Sequence, residues 1–341
     1  MKRVIVDAFG GIEQLRVVEE PAPEPMAGEV RIALTSIGMN HADLMARRGE
    51  YRLMSGEPPF TPGLEGGGVI EAVGDGVDAG RIGQRVILSA RAPRSRQEGF
   101  YGTYYSHYVI DENEALPAPD ALSDIELGTL WLTYLTAWGC LVWKQEIRPG
   151  QFVAVPAASS GVGLAASQII KAQGAVAIGM TTRQSKADIL NKTPEAMFDH
   201  LVVTKTPDGQ EADWRKTLKE ISDGRGVDVF FDPVASGAYL ETEIRCLAKG
   251  GVIWVYGLLG AAGTVDVSPL IMKQAAIRGW LLYELLEDAE AAQRGYREIL
   301  SGFGSGVYKQ CIAQTFSLDD VCAAHEAMER GDHIGKLVLA P

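Results

Sequence analysis

The segment Phe152-Val-Ala-Val-Pro-Ala-Ala-Ser-Ser-Gly-Val-Gly163, continued by residues 164–173, carries the most informative pattern of the chain. It begins with an apolar run, continues through a turn of small residues, and ends in a stretch with one apolar helical face. That face is formed by residues at the spacing of an α-helix, namely Val162, Ala165, Ala166, Ile169 and Ile170. Pro156 cannot donate a hydrogen bond in a central strand, so the strand must end there. The segment therefore predicts a β-strand, a tight turn and an α-helix.

The same alternation continues on both sides of this segment. Strand-like runs occur at 152–156, 175–179, 227–232 and 251–256, and helical patterns occur between and after them at 161–173, 214–222 and 239–248. Strands that alternate with helices are typical of βαβ units on a parallel sheet. The middle of the chain is therefore predicted to be an α/β domain with a doubly wound parallel sheet.

The two ends of the chain have a different texture. The first 120 residues contain short β-type runs at 30–36, 68–73 and 84–89, separated by glycine- and proline-rich turns. After residue 285 come a helical stretch, a break at 302–306, a helix near 318–330 and a terminal strand at 336–339. Short strands at this spacing predict an irregular β-domain or partial barrel, which the two ends could form together.

Composition excludes several classes of protein. A chain of 341 residues suggests two domains, and its net charge of −12 argues against a nucleic-acid partner. No stretch has the roughly 20 apolar residues of a membrane helix, and the N-terminus does not resemble a signal peptide. Four cysteines without a CxxC motif fit neither a disulfide framework nor a zinc ribbon. We therefore expect a cytoplasmic protein with no membrane partner and with reduced cysteines.

The turn after the first strand of the α/β domain has the properties of a phosphate-binding turn. A dinucleotide pyrophosphate needs free backbone N–H groups at a helix N-terminus and no bulky side chains in the way. The three glycine positions of the GxGxxG pattern fall on Ala158, Ser160 and Gly163, so only the last is a glycine. The candidate cofactor-binding residues are Ala158, Ser159, Ser160, Gly161, Val162 and Gly163. The alternative is a strand–helix turn that is small for packing reasons alone.

The end of the second strand predicts which dinucleotide binds. No acidic residue occurs between Lys171 and Asp188, where a carboxylate would normally hold the ribose 2′-hydroxyl of NADH. Thr182, Arg183 and Lys186 could instead bind a 2′-phosphate. These residues favour NADPH over NADH, unless Arg183 and Lys186 are only solvated residues at the start of the next helix.

Several further motifs occur in a fixed order along almost the whole chain. They are Asn40-His-Ala-Asp43, Arg48-Gly-Glu-Tyr51, Pro62-Gly-Leu-Glu-Gly-Gly-Gly68, Val73-Gly-Asp-Gly-Val77, Gly83-Gln-Arg-Val86, Ala157-Ala-Ser-Ser-Gly-Val-Gly163, Gly226-Val-Asp-Val-Phe-Phe-Asp232, Lys249-Gly-Gly-Val252, Ala324-His-Glu-Ala327 and His333-Ile-Gly-Lys336. In this order they resemble the medium-chain dehydrogenase/reductase superfamily, in its zinc-independent quinone oxidoreductase branch. The resemblance implies a GroES-like irregular β-barrel catalytic domain at 1–123 and 286–341, and an NADPH-binding Rossmann domain at 124–285. It also implies a homodimer paired through the Rossmann sheets, with 276–283 as the pairing strand.

The positions that hold zinc in metal-bearing relatives carry no suitable ligands. They resemble Asn40 and Leu64, and the region 91–101, which corresponds to a four-cysteine lobe, contains no cysteine. We therefore expect no metal. A quinone or α,β-unsaturated carbonyl needs less polarisation than a simple ketone, so direct hydride transfer from NADPH to such a small-molecule substrate is the predicted reaction.

The resemblance also assigns individual residues. Tyr51 is the predicted proton donor, because Asn40, Asp43, Gly49 and Tyr51 match a motif of 2-enoyl thioester reductases that ends in the proton-donating tyrosine. Water is the alternative donor, and Tyr51 would then be a loop residue. Asn40 resembles a residue near the nicotinamide, with a turn-capping role as the alternative, and Asp43 is expected to be a structural hydrogen-bond acceptor. Further cofactor contacts are implied for Thr136, Tyr256, Gly257 and Leu258.

Two other functions compete with the quinone or enone reductase. A 2-enoyl thioester reductase would need a basic entrance, for which Arg47, Arg48, Arg91, Arg94 and Arg96 are candidates. The second is a non-catalytic NADPH-binding protein with a structural or regulatory role. The polar loop at 91–99, followed by the aromatic residues Phe100, Tyr101, Tyr104, Tyr105 and Tyr108, could close over the substrate. The sequence does not identify the physiological substrate.

Overall fold

The computed structural model describes residues 1–51, 55–94 and 102–341, which form two compact units. Unit 1 comprises Met1–Leu132, Leu300–Gly306 and Gln310–Pro341, and unit 2 comprises Thr133–Ile299 and Val307–Lys309. The strands are β1 (Lys2–Val6), β2 (Leu15–Glu19), β3 (Glu29–Gly38), β4 (Gly67–Val73), β5 (Arg85–Leu88), β6 (His107–Asp111), β7 (Ala115–Pro117), β8 (Phe152–Val155), β9 (Val176–Thr181), β10 (His200–Val203), β11 (Val227–Asp232), β12 (Leu247–Val255), β13 (Ala276–Gly279), β14 (Ile312–Ser317) and β15 (Lys336–Ala340).

The α-helices are shorter and lie mostly in unit 2. They are α1 (His41–Arg48), α2 (Thr136–Trp138), α3 (Gly161–Ala172), α4 (Gln184–Leu190), α5 (Trp214–Ile221), α6 (Gly237–Cys246), α7 (Pro269–Lys273), α8 (Leu282–Glu287), α9 (Ala289–Gly304) and α10 (Val321–Arg330). Helix α2 lies between two π-helical stretches, Trp131–Leu135 and Gly139–Lys144. Short 3-10 turns occur at Ile12–Gln14, Ala79–Arg81, Ala92–Arg94, Glu112–Glu114 and Leu318–Asp320.

Unit 2 is built on a parallel sheet with the strand order β10-β9-β8-β11-β12-β13. Numbered within the unit, this order is 3-2-1-4-5-6, the doubly wound arrangement in which the order reverses between the first and fourth strands. Ligands of such sheets bind at the carboxyl ends of the strands beside this reversal, which here are β8 and β11. The prediction of a Rossmann sheet is confirmed.

The sheet of unit 2 is covered by helices because its strands are apolar on both faces. Ala154, Ile178, Phe230 and Ile253 come from four neighbouring strands and belong to one buried cluster, into which α5 inserts Trp214. Such continuous apolar strands are typical of parallel sheets that are buried on both sides.

Unit 1 contains a mainly antiparallel sheet of seven strands and the separate β1–β2 pair. Strand β3 is ten residues long and is the centre of the sheet. One edge of β3 pairs with two strands: its first half pairs with β6 and its last residues pair with β15. The other edge of β3 pairs with β4. The C-terminal strand thus joins the N-terminal sheet, which confirms that the two ends of the chain form one β-rich unit.

The boundaries of the compact units differ from the predicted domain boundaries at 123/124 and 285/286. Residues 124–132 stay with unit 1, because Ser36 donates to the Asp124 carbonyl at 2.9 Å and Gly38 N–H donates to the Gly128 carbonyl at 2.7 Å. Residues 286–299 stay with unit 2, where Trp138 Nε1 donates to Glu298 at 2.8 Å. Compactness therefore divides the chain at 132/133 and 299/300, and the functional domain limits stay predictions.

Candidate cofactor and catalytic residues

The turn between β8 and α3, together with the first turn of α3, holds six of the predicted cofactor-binding residues. Pro156 follows the last residue of β8, so it removes no hydrogen bond from the sheet. Ala157 has a φ of +52°, in the left-handed region that non-glycine residues rarely adopt. Ala158 N–H donates to the Met180 carbonyl at 3.0 Å, and Ser160 N–H donates to the Ala157 carbonyl at 2.9 Å. These bonds hold the turn closely against the ends of β8 and β9.

Helix α3 begins at Ser160, whose Oγ accepts a hydrogen bond from Gly163 N–H at 3.0 Å. A Cβ atom on Gly163 would lie only 2.8 Å from the Ala157 carbonyl oxygen and 2.9 Å from that of Ala158. Glycine is therefore required for the helix to approach the turn this closely. The first N–H groups of a helix have no partner within it, and they carry the positive end of the helix dipole. The turn therefore fits a bound pyrophosphate.

The predicted 2′-phosphate residues follow β9, which is the neighbour of β8 in the sheet. Thr182 and Arg183 are exposed, and Arg183 is the residue directly before α4. The Nζ atom of Lys186, in the first turn of α4, donates to Ser159 Oγ at 3.3 Å. The structure therefore brings Lys186 to the turn between β8 and α3.

The segment Tyr256-Gly257-Leu258 follows β12 and is attached to the end of β11. Tyr256 N–H donates to the Asp232 carbonyl at 2.9 Å, and Leu259 N–H donates to that of Pro233 at 2.8 Å. The ring of Tyr256 stacks on Phe231 at a centroid distance of 4.0 Å, while Leu258 is exposed. The Asp232 carboxylate accepts hydrogen bonds from the N–H groups of residues 234 and 235, and burial raises its pKa.

Thr136 lies in α2, which packs against α3. Its backbone carbonyl accepts a hydrogen bond from Trp280 Nε1 at 2.9 Å, and the residue is largely buried. The predicted cofactor residues of unit 2 thus come from the ends of three parallel strands and from the helix beside α3.

In unit 1, Asn40 lies directly before α1 and belongs to a buried polar network. Its Nδ2 donates to the Gly38 carbonyl and to Glu65 Oε1, both at 3.1 Å. Its Oδ1 accepts from Lys336 Nζ at 2.6 Å, and the same ammonium group pairs with Glu65 at 2.6 Å. Asn40 is also the N-cap residue of α1, as the alternative prediction expected, but capping alone does not explain its contacts with Glu65 and Lys336.

Asp43 fixes the backbone at the start of α1. Its carboxylate accepts hydrogen bonds from Asn40 N–H at 2.8 Å and from the Tyr104 hydroxyl at 3.1 Å, which confirms the predicted role as a structural acceptor. Burial raises the pKa of Asp43 to about 7, although these two donors and the charge of Lys336 act in the opposite direction. The carboxyl therefore changes its charge near neutral pH.

Tyr51 follows the other end of α1. The helix ends at Gly49, whose φ of +78° is in the left-handed region, and Glu50 N–H donates to the Met45 carbonyl at 2.8 Å. A Cβ atom on Gly49 would lie 2.9 Å from the ring of Phe9, so glycine is required there for packing as well. Tyr51 is partly buried, and its role as proton donor stays a prediction.

Arg47 is not part of a basic entrance, so this prediction was wrong. Its side chain is only 1% exposed, and it donates to the Gly10 carbonyl at 3.1 Å, contacts His325 Nδ1 at 3.2 Å and pairs with Glu329. Arg48 pairs with the same Glu329 at 2.7 Å. Burial and the charge of Arg47 lower the pKa of His325 to about 3, so the imidazole is neutral.

The predicted substrate loop falls largely on residues 95–101, which include Arg96, Phe100 and Tyr101 and lie outside the described residues. The aromatic residues that follow are described. Tyr104, Tyr105 and Tyr108 belong to the hydrophobic core of unit 1. Their side chains therefore pack in the interior of unit 1.

Within the described ranges, no group of three or more His, Cys, Asp and Glu side chains is arranged to hold a metal ion. Leu64 is buried, and the amide of Asn40 is occupied by the contacts given above. The four cysteines are free thiols, and burial raises the pKa values of Cys140 and Cys246. Among the same residues, no helix is both long and apolar enough to cross a membrane.

The sequence did not predict Glu65 and Lys336 as partners of Asn40. Both residues occur within motifs that we noted, Pro62–Gly68 and His333–Lys336, and only their functional assignment was missing. Asp232, at the end of β11, was likewise part of a motif without an assigned role. The sequence signal that could have identified these three residues is a charged residue within an otherwise apolar or glycine-rich run.

Two family models match the chain. The alcohol dehydrogenase GroES-like domain matches residues 26–120, and the zinc-binding dehydrogenase domain matches residues 161–296. The chain is 28% identical to the quinone oxidoreductase of Rattus norvegicus, with 99% of this chain and 97% of that protein covered. It is also 28% identical to the 2-haloacrylate reductase of a Burkholderia species, with 99% and 98% covered.

Solved structures are also similar to this chain over its entire length. A crystal structure of an NAD-dependent alcohol dehydrogenase has a TM-score of 0.85 and 31% identity, with both chains fully covered. The Escherichia coli quinone oxidoreductase complexed with NADPH has a TM-score of 0.85 and 29% identity, again with both chains fully covered. With the GroES-like match, the doubly wound sheet and these relatives together, the chain belongs to the medium-chain dehydrogenase/reductase superfamily, in its quinone oxidoreductase branch.

Proposed function

We propose that this protein is an NADPH-dependent oxidoreductase that reduces a quinone or an α,β-unsaturated carbonyl without zinc. The observation that carries the proposal is the contact between Lys186 Nζ and Ser159 Oγ at 3.3 Å. It brings a cation from the 2′-phosphate region to the phosphate-binding turn. The solved relative with bound NADPH and the two reductases named above support the same class of reaction.

The cofactor would be held by unit 2 in three places. The N–H groups at the start of α3 would bind the pyrophosphate, and Thr182, Arg183 and Lys186 would bind the 2′-phosphate. The backbone of residues 256–258 and Thr136 would contact the nicotinamide end. The acidic residue of α4, Asp188, lies two residues after Lys186 and accepts a hydrogen bond from Gln184 at 2.8 Å.

The chemistry requires only a hydride and a proton. NADPH supplies the hydride when it is bound. Tyr51 would then donate its phenolic proton to the substrate atom that has gained negative charge, unless water does so. A conjugated substrate spreads this charge over several atoms, which is why one donor is sufficient.

A zinc-independent reaction is also part of the proposal. Asn40 and Leu64, at the positions of two expected ligands, offer an amide already bound to three partners and an aliphatic side chain. We expect the purified protein to contain no stoichiometric zinc by elemental analysis, and a chelator to leave its activity unchanged.

A second candidate is a 2-enoyl thioester reductase, favoured by the arrangement of Asn40 and Tyr51 at the two ends of α1. It is weakened by the burial of Arg47, which removes one of the five basic residues considered for a CoA-binding entrance. Arg48 keeps part of its side chain exposed but already pairs with Glu329.

We propose further that the protein is a cytosolic homodimer. Strand β13 forms an edge of the sheet in unit 2, and the helix before it, α7, exposes Ile271 and Met272 by 79% and 83%. An edge strand beside large exposed apolar residues is suited to pairing with the same strand of a second copy. Light scattering should give a dimer, and Ile271→Asp should give monomers, whereas Ile189→Asp on the exposed face of α4 should not. A wild-type monomer would contradict the proposal.

The activity is tested by following NADPH oxidation with a small panel of substrates. The panel contains a benzoquinone, 9,10-phenanthrenequinone, a 2-alkenal and crotonyl-CoA, with NADH as the cofactor control. Turnover of quinones or the alkenal that prefers NADPH supports the proposal. Turnover of crotonyl-CoA alone supports the thioester reductase, and NADPH binding without any turnover indicates a structural or regulatory role.

The source of the proton is tested separately with Tyr51→Phe. We expect kcat to fall at least tenfold if Tyr51 is the donor, with little change in NADPH affinity. An unchanged rate would assign the proton to water and would favour quinones over thioesters.

A further inference from the structure

Strand pairing brings Lys336 opposite Asn40. Strand β15 pairs antiparallel with β3, with Val338 opposite Gly38, and Met39 N–H donates to the Leu337 carbonyl at 3.0 Å. When this register is continued by two residues, Lys336 is the cross-strand neighbour of Asn40. Side chains that lie directly opposite each other in an antiparallel pair are close enough for contact.

The three partners of Asn40 determine how its amide is oriented. Lys336 has an ammonium group that can only donate, so the Asn40 atom that faces it at 2.6 Å must be the oxygen. The Gly38 carbonyl and the Glu65 carboxylate can only accept, so the atom that faces them must be the nitrogen. Both N–H groups of Asn40 are thereby used, so its side chain has no further hydrogen to donate.

The ion pair beside Asn40 is almost completely buried. Lys336 is 4% exposed and Glu65 is 1% exposed, and the second oxygen of Glu65 accepts a hydrogen bond from Leu132 N–H at 3.1 Å. A Cβ atom on Gly38 would lie 2.6 Å from Glu65 Oε1 and 2.8 Å from Lys336 Cε, so this glycine is needed for the approach. Buried ion pairs contribute little net stability compared with an apolar pair of similar size. The main consequence of this pair is therefore the geometry that it imposes on its neighbours.

We propose that Lys336 is a positioning residue for Asn40, and that with Glu65 it holds the amide so that Asn40 can only accept a further hydrogen bond. Asn40 would then receive a hydroxyl or amide N–H group of the bound cofactor or substrate, and it would not donate to a developing oxyanion. The inference rests on the proposed function, because that function places Asn40 at the reaction site.

The proposal is tested by a double-mutant cycle with Asn40→Ala, Lys336→Met and the combination of both. If Lys336 acts through Asn40, Lys336→Met should lower kcat/KM at least tenfold in the wild-type background. In the Asn40→Ala background it should change kcat/KM less than twofold. Additive effects would overturn the proposal. NADPH affinity, measured by fluorescence titration, shows whether the donor belongs to the cofactor or to the substrate.

Loss of Lys336 also leaves Glu65 as a buried charge without its partner, which destabilises the fold by itself. The variant Lys336→Met with Glu65→Gln removes both charges. We expect it to regain the wild-type melting temperature while its kcat/KM stays low. Recovery of both quantities would show that the ion pair is only structural and would overturn the inference. Lys144→Met, which removes an exposed lysine that pairs with Glu284, serves as the control and should change neither.

The proposed function and this inference can fail separately. A wild-type protein that binds NADPH but reduces none of the substrates overturns the proposed function. The cycle is then carried out on the NADPH dissociation constant alone. Non-additive changes in that constant support the positioning of Asn40 by Lys336, and additive changes or no change at all overturn it.

Discussion

Replacing Glu243 by glutamine should remove a pH-dependent loss of stability from unit 2. Glu243 lies on the inner face of α6 and is completely buried. Neither carboxylate oxygen has a hydrogen-bond partner among residues 1–51, 55–94 and 102–341. Burial, followed by the nearby charge of Asp232, raises the pKa of Glu243 well above its usual value of 4.5. The carboxyl therefore keeps its proton to a higher pH in the folded protein than in the unfolded chain.

The sign of the effect follows from proton linkage. Below pH 4.5 the group is protonated in both the folded and the unfolded chain, so its ionisation costs no stability. As the pH rises above 4.5 only the unfolded chain releases the proton, and stability is lost until the pH passes the raised pKa of the folded state. Each pH unit in this window raises the unfolding equilibrium constant about tenfold, or ~1.4 kcal/mol. A window two pH units wide would therefore correspond to a loss of roughly 3 kcal/mol.

The assay is urea unfolding of wild-type and Glu243→Gln protein at several pH values from 5 to 8. Five of the six tryptophans lie in unit 2, and Trp214 contacts Tyr239 in the same helix as Glu243 at a centroid distance of 5.1 Å. Tryptophan fluorescence therefore reports the unfolding of this unit. The variant is expected to lose less stability than the wild type as the pH rises.

The matched control is Glu241→Gln in the same helix. Glu241 is partly exposed and pairs with Arg245 at 2.8 Å, so its replacement should change stability by less than about 1 kcal/mol and leave the pH dependence unchanged. If Glu243→Gln and wild type lose stability in parallel between pH 5 and 8, Glu243 is ionised in the folded protein and the argument from its burial is refuted.

Three other substitutions test separate parts of the structure. Gly163→Ala should weaken NADPH binding at least tenfold, because the new Cβ atom would lie 2.8 and 2.9 Å from two carbonyl oxygens. The control is Gly304→Ala, which has open space around it and should leave the NADPH affinity unchanged in the same titration. Lys186→Met should raise the KM for NADPH several-fold and leave that for NADH unchanged, and equal effects on both cofactors in steady-state kinetics would contradict a 2′-phosphate contact. Arg47→Met should lower the free energy of unfolding by roughly 2 kcal/mol in urea titrations, because the Gly10 carbonyl loses its donor and Glu329 keeps only Arg48. A loss below about 1 kcal/mol would show that water replaces the guanidinium there.

The elements of unit 2 were predictable because their signals are local. The helix predicted at 161–173 is observed at Gly161–Ala172, and the strand predicted at 227–232 is observed with the same limits. In both elements, the apolar residues and the glycines or prolines at the ends indicate the same limits. Strand β12 was predicted to begin at residue 251 but begins at Leu247, because the pair Gly250–Gly251 suggested a turn before the strand. The structure instead shows a register shift in the pairing of β11 with β12.

The strand that the family resemblance predicts at 276–283 is longer than the observed strand β13. The predicted strand at 276–283 ends at Gly279, and α8 begins at Leu282. Trp280 leaves the sheet to pack its ring against the helical segment that contains Gly139, and its Nε1 donates to the Thr136 carbonyl at 2.9 Å. This tertiary contact ends the strand, and no local sequence signal indicates it.

The polar network around Asn40 was not predictable for a different reason. Asn40 is 25 residues from Glu65 and 296 residues from Lys336 along the chain. Their contact depends on the register of β15 against β3, and a shift by one residue would turn Lys336 to the other face of the sheet. The motif around Asn40 predicts a site role for this residue, but no local pattern in the sequence predicts which side chains orient its amide.

The C-terminal segment contributes more to unit 1 than one additional strand. Helix α1 has Asn40 at its start and Arg47 near its end, and each is held by a residue from the last 20 positions of the chain. Lys336 in β15 binds Asn40, and Glu329 in α10 binds Arg47. Because Tyr51 follows the second end of α1, the two candidate catalytic residues are positioned by one helix whose two ends are fixed by the same segment. A variant that weakens the Lys336–Glu65 or the Arg47–Glu329 ion pair should therefore affect the reaction through the placement of α1. The effects of the two variants should be separable. Loss of Lys336 should act on Asn40, and loss of Arg47 should act on Tyr51, the proposed proton donor.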